Sequence, residues 1–155
     1  MAQNPNATAS SSTETNAGTT SSSHKLVQRI LGLASEKKAY TPRVYEVGSL
    51  FNYTDYVVVL TGRSDRQVRA IAENISTTLK LEDGLRPVGV EGEDLGQWVL
   101  MDYSDVVIHI FNAPVREYYD IDGLFGEAPK LAVPPPEWEH EIKEAQYEQR
   151  AYAPI

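Results

Sequence analysis

Leu26, Val27, Ile30, Leu31, Leu33 and Ala34 recur at helical spacing, which predicts an amphipathic helix over residues 25–38. Thr41-Pro42 ends it, because the residue before a proline avoids the helical region. Val44 to Val47 reads as a short strand. Tyr56-Val57-Val58-Val59-Leu60 is a continuous apolar run with three β-branched valines at its centre, the pattern of a strand covered on both faces. Thr61-Gly62 breaks it, and Ser64 or Asp65 is placed to cap a second helix whose apolar face is Val68, Ile71, Ala72, Ile75 and Leu79. Asp83-Gly84 stops that helix. Three strands follow, Pro87–Val90, Trp98–Met101 and Val106–Phe111. The polar link Asp102-Tyr103-Ser104-Asp105 pairs the last two as an antiparallel hairpin. Ala113–Tyr119 reads as a helix, with Tyr118, Tyr119, Leu124 and Phe125 available to pack below it.

This order predicts a single α/β (mixed α+β) domain with one mixed five-stranded sheet packed by helices. The domain is expected over residues 25–129. Residues 1–24 are almost entirely Ser, Thr, Ala and Asn with Glu14 as the one charged side chain before His24, a composition that cannot offset its ordering entropy, so a disordered tail is expected. The same composition fits an organellar transit peptide, but such peptides carry Arg and none precedes Arg29. Residues 130–155 read as a Pro-rich spacer (Pro134-Pro135-Pro136) and an acidic tail that is either a marginal helix or disordered.

Charge changes the picture more than composition does. The net charge of −8 and pI near 4.8 argue against a general nucleic-acid binder. Nine carboxylates and one base, Arg116, lie between Val88 and Glu127, whereas eight bases and four acids lie between Lys25 and Arg69. Such asymmetry concerns partners: the acidic half suits a basic surface. Zero Cys excludes a disulfide framework and thiol chemistry, and fits a reducing cytoplasm. No apolar run approaches the ~20 residues that span a bilayer.

Two kinds of site compete. Gly62 and Ser64 before a helix N-terminus, with Asp102 and Asp105, suggest a magnesium-dependent nucleotidyltransferase. The spacing opposes it, since metal-binding acids on one strand sit at i and i+2, and these are three apart across a turn. Arg63, Arg66 and Arg69 fit either an anion or the solvated face of a helix. His109, flanked by Ile108 and Ile110, reads as a satisfied, half-buried side chain with no second His nearby for a metal. The other site is a docking surface. Alternation puts Val99 and Met101 on one face of their strand and Trp98 and Leu100 on the other, leaving Trp98 either in the core or as an interface anchor. Trp98, Asp102, Tyr103, Asp105, Glu91 and Glu93 form the candidate partner-binding set. No catalytic residue, cofactor or metal is expected.

Thr54-Asp55-Tyr56, Thr61-Gly62-Arg63-Ser64 with Arg66-Gln67-Val68, Val90-Glu91-Gly92-Glu93, Trp98 through Phe111, and Arg116-Glu117-Tyr118-Tyr119 with Leu124-Phe125-Gly126 occur in the order found in the Iojap family of ribosomal silencing factors. The chain resembles that family over residues 25–129. It departs in having Ser104 where the family pattern has Gly, and Phe125 where it has Trp. The resemblance implies a nucleotidyltransferase-like fold without its active site. It further implies binding to the large ribosomal subunit through large-subunit ribosomal protein fourteen, a block on small-subunit joining that represses translation, and in some members a homodimer.

Overall fold

The structure, a computed structural model, describes residues 21–50, 52–135 and 139. Helix α1 (Ser22–Glu36) is followed by β1 (Tyr40–Glu46), β2 (Tyr56–Gly62), α2 (Asp65–Asp83), β3 (Gly89–Glu91), β4 (Trp98–Asp102), β5 (Val106–Asn112), α3 (Ala113–Tyr119), α4 (Ile121–Leu124) and β6 (Lys130–Leu131). The sheet has six strands in the order β3-β4-β5-β2-β1-β6. Its central pair, β2 and β5, is parallel and every other pair is antiparallel. A parallel pair needs a long crossover, which α2 and the β3–β4 segment supply.

Two helices cover one face. Val27, Ile30, Leu33 and Ala34 of α1 and Val68, Ile71, Ala72, Ile75 and Leu79 of α2 pack on Val44, Val58, Leu60, Val99, Met101, Ile108 and Ile110. The opposite face holds a smaller cluster of Tyr45, Val47, Val57, Val59, Phe111, Ile121, Phe125 and Ala128, with Trp98 and Val115 at its margin. The β-branched run in β2 is therefore buried from both sides, as its unbroken hydrophobicity requires. Ser21 starts α1 by accepting the His24 N–H (3.1 Å), and Ser64 starts α2 by accepting that of Gln67 (3.1 Å).

The sheet differs from the expected five strands by β6. Lys130 and Leu131 pair with Tyr45 and Val44, and the Pro129 carbonyl accepts the Glu46 N–H at 2.8 Å. The spacer expected from residue 130 thus begins inside the domain, because two paired residues carry no periodicity to read. At the other end, residues 1–20 of the expected tail lie outside the described residues, and Ser21–His24 form the cap and first turn of α1. Thr41-Pro42 does not end that helix; the chain reverses at Lys37–Ala39, with Lys38 at φ 59°. Pro42 instead sits in β1 at an irregularity between Tyr40 and Arg43, where the ladder needs no N–H from it. The expected reading of residues 137–150 lies outside the described residues except at Glu139, whose buried carboxylate accepts the Thr41 hydroxyl at 2.9 Å.

The β4–β5 hairpin turns through Ser104 at φ 68°, a left-handed conformation that costs a side-chain-bearing residue roughly 1–2 kcal/mol. Asp102 offsets part of this by accepting the Ser104 N–H at 2.8 Å. Replacing Ser104 with Gly removes the steric cost and adds chain entropy to the unfolded state. The expected net effect is a stabilisation of up to about 1 kcal/mol, read as a higher urea midpoint with unchanged slope.

Candidate functional site

The hairpin register decides what the second face of the sheet displays. Trp98 lies opposite Phe111, Leu100 opposite His109, and Asp102 opposite Val107, while β3 adds Glu91 beside Leu100. The half of this face near β2 is covered by α3 and α4. The half at β4 is left partly open, and Trp98, Leu100 and Asp102 are all intermediate in exposure.

Trp98 is both core and surface. Its ring stacks on Phe111 (centroids 4.9 Å, planes 27° apart), meets Tyr119 of α3 at 5.0 Å and lies 5.9 Å from His109. Its Nε1–H donates to His109 Nδ1 at 3.0 Å. Because an indole N–H can only donate, Nδ1 must be the bare nitrogen and the proton of the neutral ring sits on Nε2. Burial pushes the His109 pKa down to about 4, so the ring is neutral at physiological pH. Beyond Trp98, the apolar surface continues on Tyr119 (55% exposed) and, packed edge-on against it, Tyr118 (81%), while Leu124 of α4 is also exposed (70%). The sequence sets Tyr118, Tyr119, Leu124 and Phe125 as available to pack below α3. Of these four the structure buries only Phe125, against Tyr45 at 5.6 Å.

The acids of the candidate set are dispersed around this surface. Glu91 and Asp102 flank Leu100 on the open face. Glu93 is exposed in the turn that leads to β4. That turn requires Gly92, at φ 87°, since a Cβ there would lie 2.0 Å from the Trp98 carbonyl oxygen. Asp105 belongs elsewhere. It lies by α1 on a groove of about 480 Å³ lined also by Lys25, Arg29 and Tyr103. Tyr103 is removed from the exposed set altogether. It is 5% exposed, packed in the cluster beneath the two long helices, and its hydroxyl, without a protein partner, is pushed up to about 12 by burial. The Asp102–Asp105 pair does not converge, and no cluster of three metal-binding side chains occurs among the described residues.

Arg116, the lone base of the acidic half, is buried and ties α3 down. Its Nε and one terminal nitrogen hold both Asp122 carboxylate oxygens (2.8 and 2.9 Å). The other terminal nitrogen donates to the Thr41 carbonyl (2.7 Å) and to Thr61 Oγ1 (2.6 Å). The Tyr45 hydroxyl donates to the same carboxylate. Burial alone would raise the Asp122 carboxyl, but the bonds from Arg116 and Tyr45 outweigh it and hold it below its usual value. This node joins α3 to β1 and β2, and so positions Tyr119 over Trp98.

With that geometry in view, comparison with known proteins places the chain. The family profile described as "Ribosomal silencing factor during starvation" matches residues 20–154. The ribosomal silencing factor of Chromobacterium violaceum is 47% identical over 78 residues, covering 50% of this chain and 63% of that protein. The one from Bacillus subtilis is 36% identical over 94 residues, covering 61% and 79%. A crystal structure of a Chromobacterium violaceum protein superposes with a TM-score of 0.66 at 33% identity, covering 76% of this chain and 98% of that one. The molecule is thus a mixed α+β domain with the fold of this solved relative. It belongs to the ribosomal silencing factor family.

Two predictions follow from these interactions. Arg116→Met leaves Asp122 a partly buried carboxylate without its main partner, and should cost about 2–3 kcal/mol in urea unfolding, with Asp122 one-third exposed. For His109, the folded pKa lies below the unfolded value near 6.5, so the unfolded chain binds more protons between those values. Stability is therefore fully present above about pH 6.5 and falls as pH drops toward 4, by about 3 kcal/mol at most. The slope of unfolding free energy against pH in that window should flatten in His109→Asn, while the loss below pH 4 that Asp122 contributes should remain.

Proposed function

We propose that this protein silences translation by docking the open face of β4 and α3 onto the large ribosomal subunit. The contact is made through the basic large-subunit ribosomal protein fourteen, and the bound protein excludes the small subunit sterically. One observation carries the reading. Among the described residues, the partly open sheet face combines a half-buried Trp98, packed on Tyr119, with Leu100, and sets Glu91 and Asp102 beside Leu100. An aromatic anchor rimmed by one sign of charge is what a basic protein partner requires. Family membership supplies the ribosome as the setting, and the bacterial relatives point to the cytoplasm. In free solution the same face is available to a second copy, which would give a homodimer that competes with docking.

A magnesium-dependent nucleotidyltransferase is the rival reading. Against it, Asp102 is engaged with the Ser104 N–H on the open face whereas Asp105 lines the groove by α1. We read the protein as a binding factor with no catalytic step.

Sedimentation of purified small and large bacterial subunits with saturating protein tests the reading. Joined ribosomes should be depleted, and persistence of the joined peak rejects it. Trp98→Ala should weaken binding to large subunits by about 2 kcal/mol or more, roughly thirty-fold, mostly through faster dissociation. Glu91→Lys should instead slow association and reduce its dependence on salt.

A further inference from the structure

The one polar atom of the Trp98 side chain is turned inward. Its N–H is held by His109 Nδ1 at 3.0 Å, so the side chain's single donor is already satisfied from within the fold. The ring is also caught between Phe111 and Tyr119, contacts that are not directional in the way a hydrogen bond is. The bond to His109 adds that direction, since it forms in this orientation of the indole and not in its flipped alternative. The acceptor is itself fixed, because His109 lies in the central part of β5, 9% exposed, between Ile108 and Ile110 that anchor the strand in the helical core.

We propose that His109 is a positioning residue of the docking face: by accepting the indole N–H it presents Trp98 to the partner in a single, preorganised orientation with its one donor already satisfied. This rests on the docking reading above and adds to it a residue that lies beneath the contact surface. The chemistry commits the partner side as well. A surface that meets Trp98 should offer aliphatic side chains or the stems of Lys and Arg, with no acceptor aimed at the indole nitrogen. Because burial keeps the imidazole neutral at physiological pH, the acceptor is available wherever the ribosome works. Among the described residues, the titratable or charged side chains placed beside this pair are Tyr119, against Trp98, and Glu91 and Asp102, which flank Leu100.

The test uses the full-length protein and purified bacterial large ribosomal subunits. His109→Phe keeps a ring and removes the acceptor, His109→Asn restores an acceptor at the δ position, and His109→Leu serves as a second acceptor-free variant. The Trp98 indole proton, assigned by its loss in Trp98→Phe, should exchange slowly with solvent in the wild type and in His109→Asn, and rapidly in the Phe and Leu variants. Affinity for large subunits should fall about three- to ten-fold in the acceptor-free variants, through faster dissociation, as expected when a side chain must be ordered on binding. It should stay within about two-fold of wild type in His109→Asn. In a Trp98→Phe background, His109→Phe should cause no further loss, because the group it acts through is gone. Wild-type affinity in both acceptor-free variants overturns the proposal. So does an equal loss in the Asn variant or in the Trp98→Phe background, since either shows a general packing role. Failure of the wild type itself to bind large subunits overturns the docking reading, and the proposal with it.

Discussion

The register of β4 on β5 is the constraint on which the second face of this protein depends. Asp102 opposite Val107 at the hairpin end sets Leu100 opposite His109 and Trp98 opposite Phe111. A slip by one residue would turn Trp98 and Leu100 into the core beneath α1 and α2, and would bring Val99 and Met101 out. Both outcomes are opposed by the same residues. Val99 and Met101 are fully buried in the helical core, and the Trp98–His109 hydrogen bond exists only in the observed pairing. Packing on one face and a directional bond on the other thus specify one arrangement.

Coverage of the sheet is unequal, and this creates the site. Among the described residues, two long helices close one face, whereas the other receives only seven-residue α3 and four-residue α4. So short a helix has little intrinsic stability and is held by tertiary contacts. Here the buried Arg116 provides them, bridging α3 to Thr41 of β1, Thr61 of β2 and Asp122 of α4. The left-handed Asp120 (φ 47°) makes the sharp break between α3 and α4 that brings Asp122 back onto Arg116. What α3 does not reach remains open around Trp98, so stability of the Arg116 node and definition of the open face are linked through Tyr119.

Strong periodicity made the two long helices and the central strands legible in the chain. β6 was not, since two residues show no alternation. Tyr103 was assigned to the surface from its polar neighbours Asp102, Ser104 and Asp105. The period-two series Val99, Met101, Tyr103 was the better guide, and it points inward. His109 was correctly read as satisfied, but its partner was out of reach. The pairing with Trp98 follows only once the turn type is known, and the left-handed conformation of Ser104 is not written in a serine. Arg116 stood out as the one base among nine acids, yet its burial depended on Thr41 and Thr61, residues brought close by a sheet order that passes through a parallel pair.

Hydrogen–deuterium exchange of the protein, free and bound to purified large ribosomal subunits, tests the central claim most directly. Docking through the open face predicts slowed exchange on binding in segments 89–102 and 113–125, with α1 and the exposed side of α2 unchanged. Protection confined to α1 and α2, with the Trp98 strand exchanging as in the free protein, would contradict it.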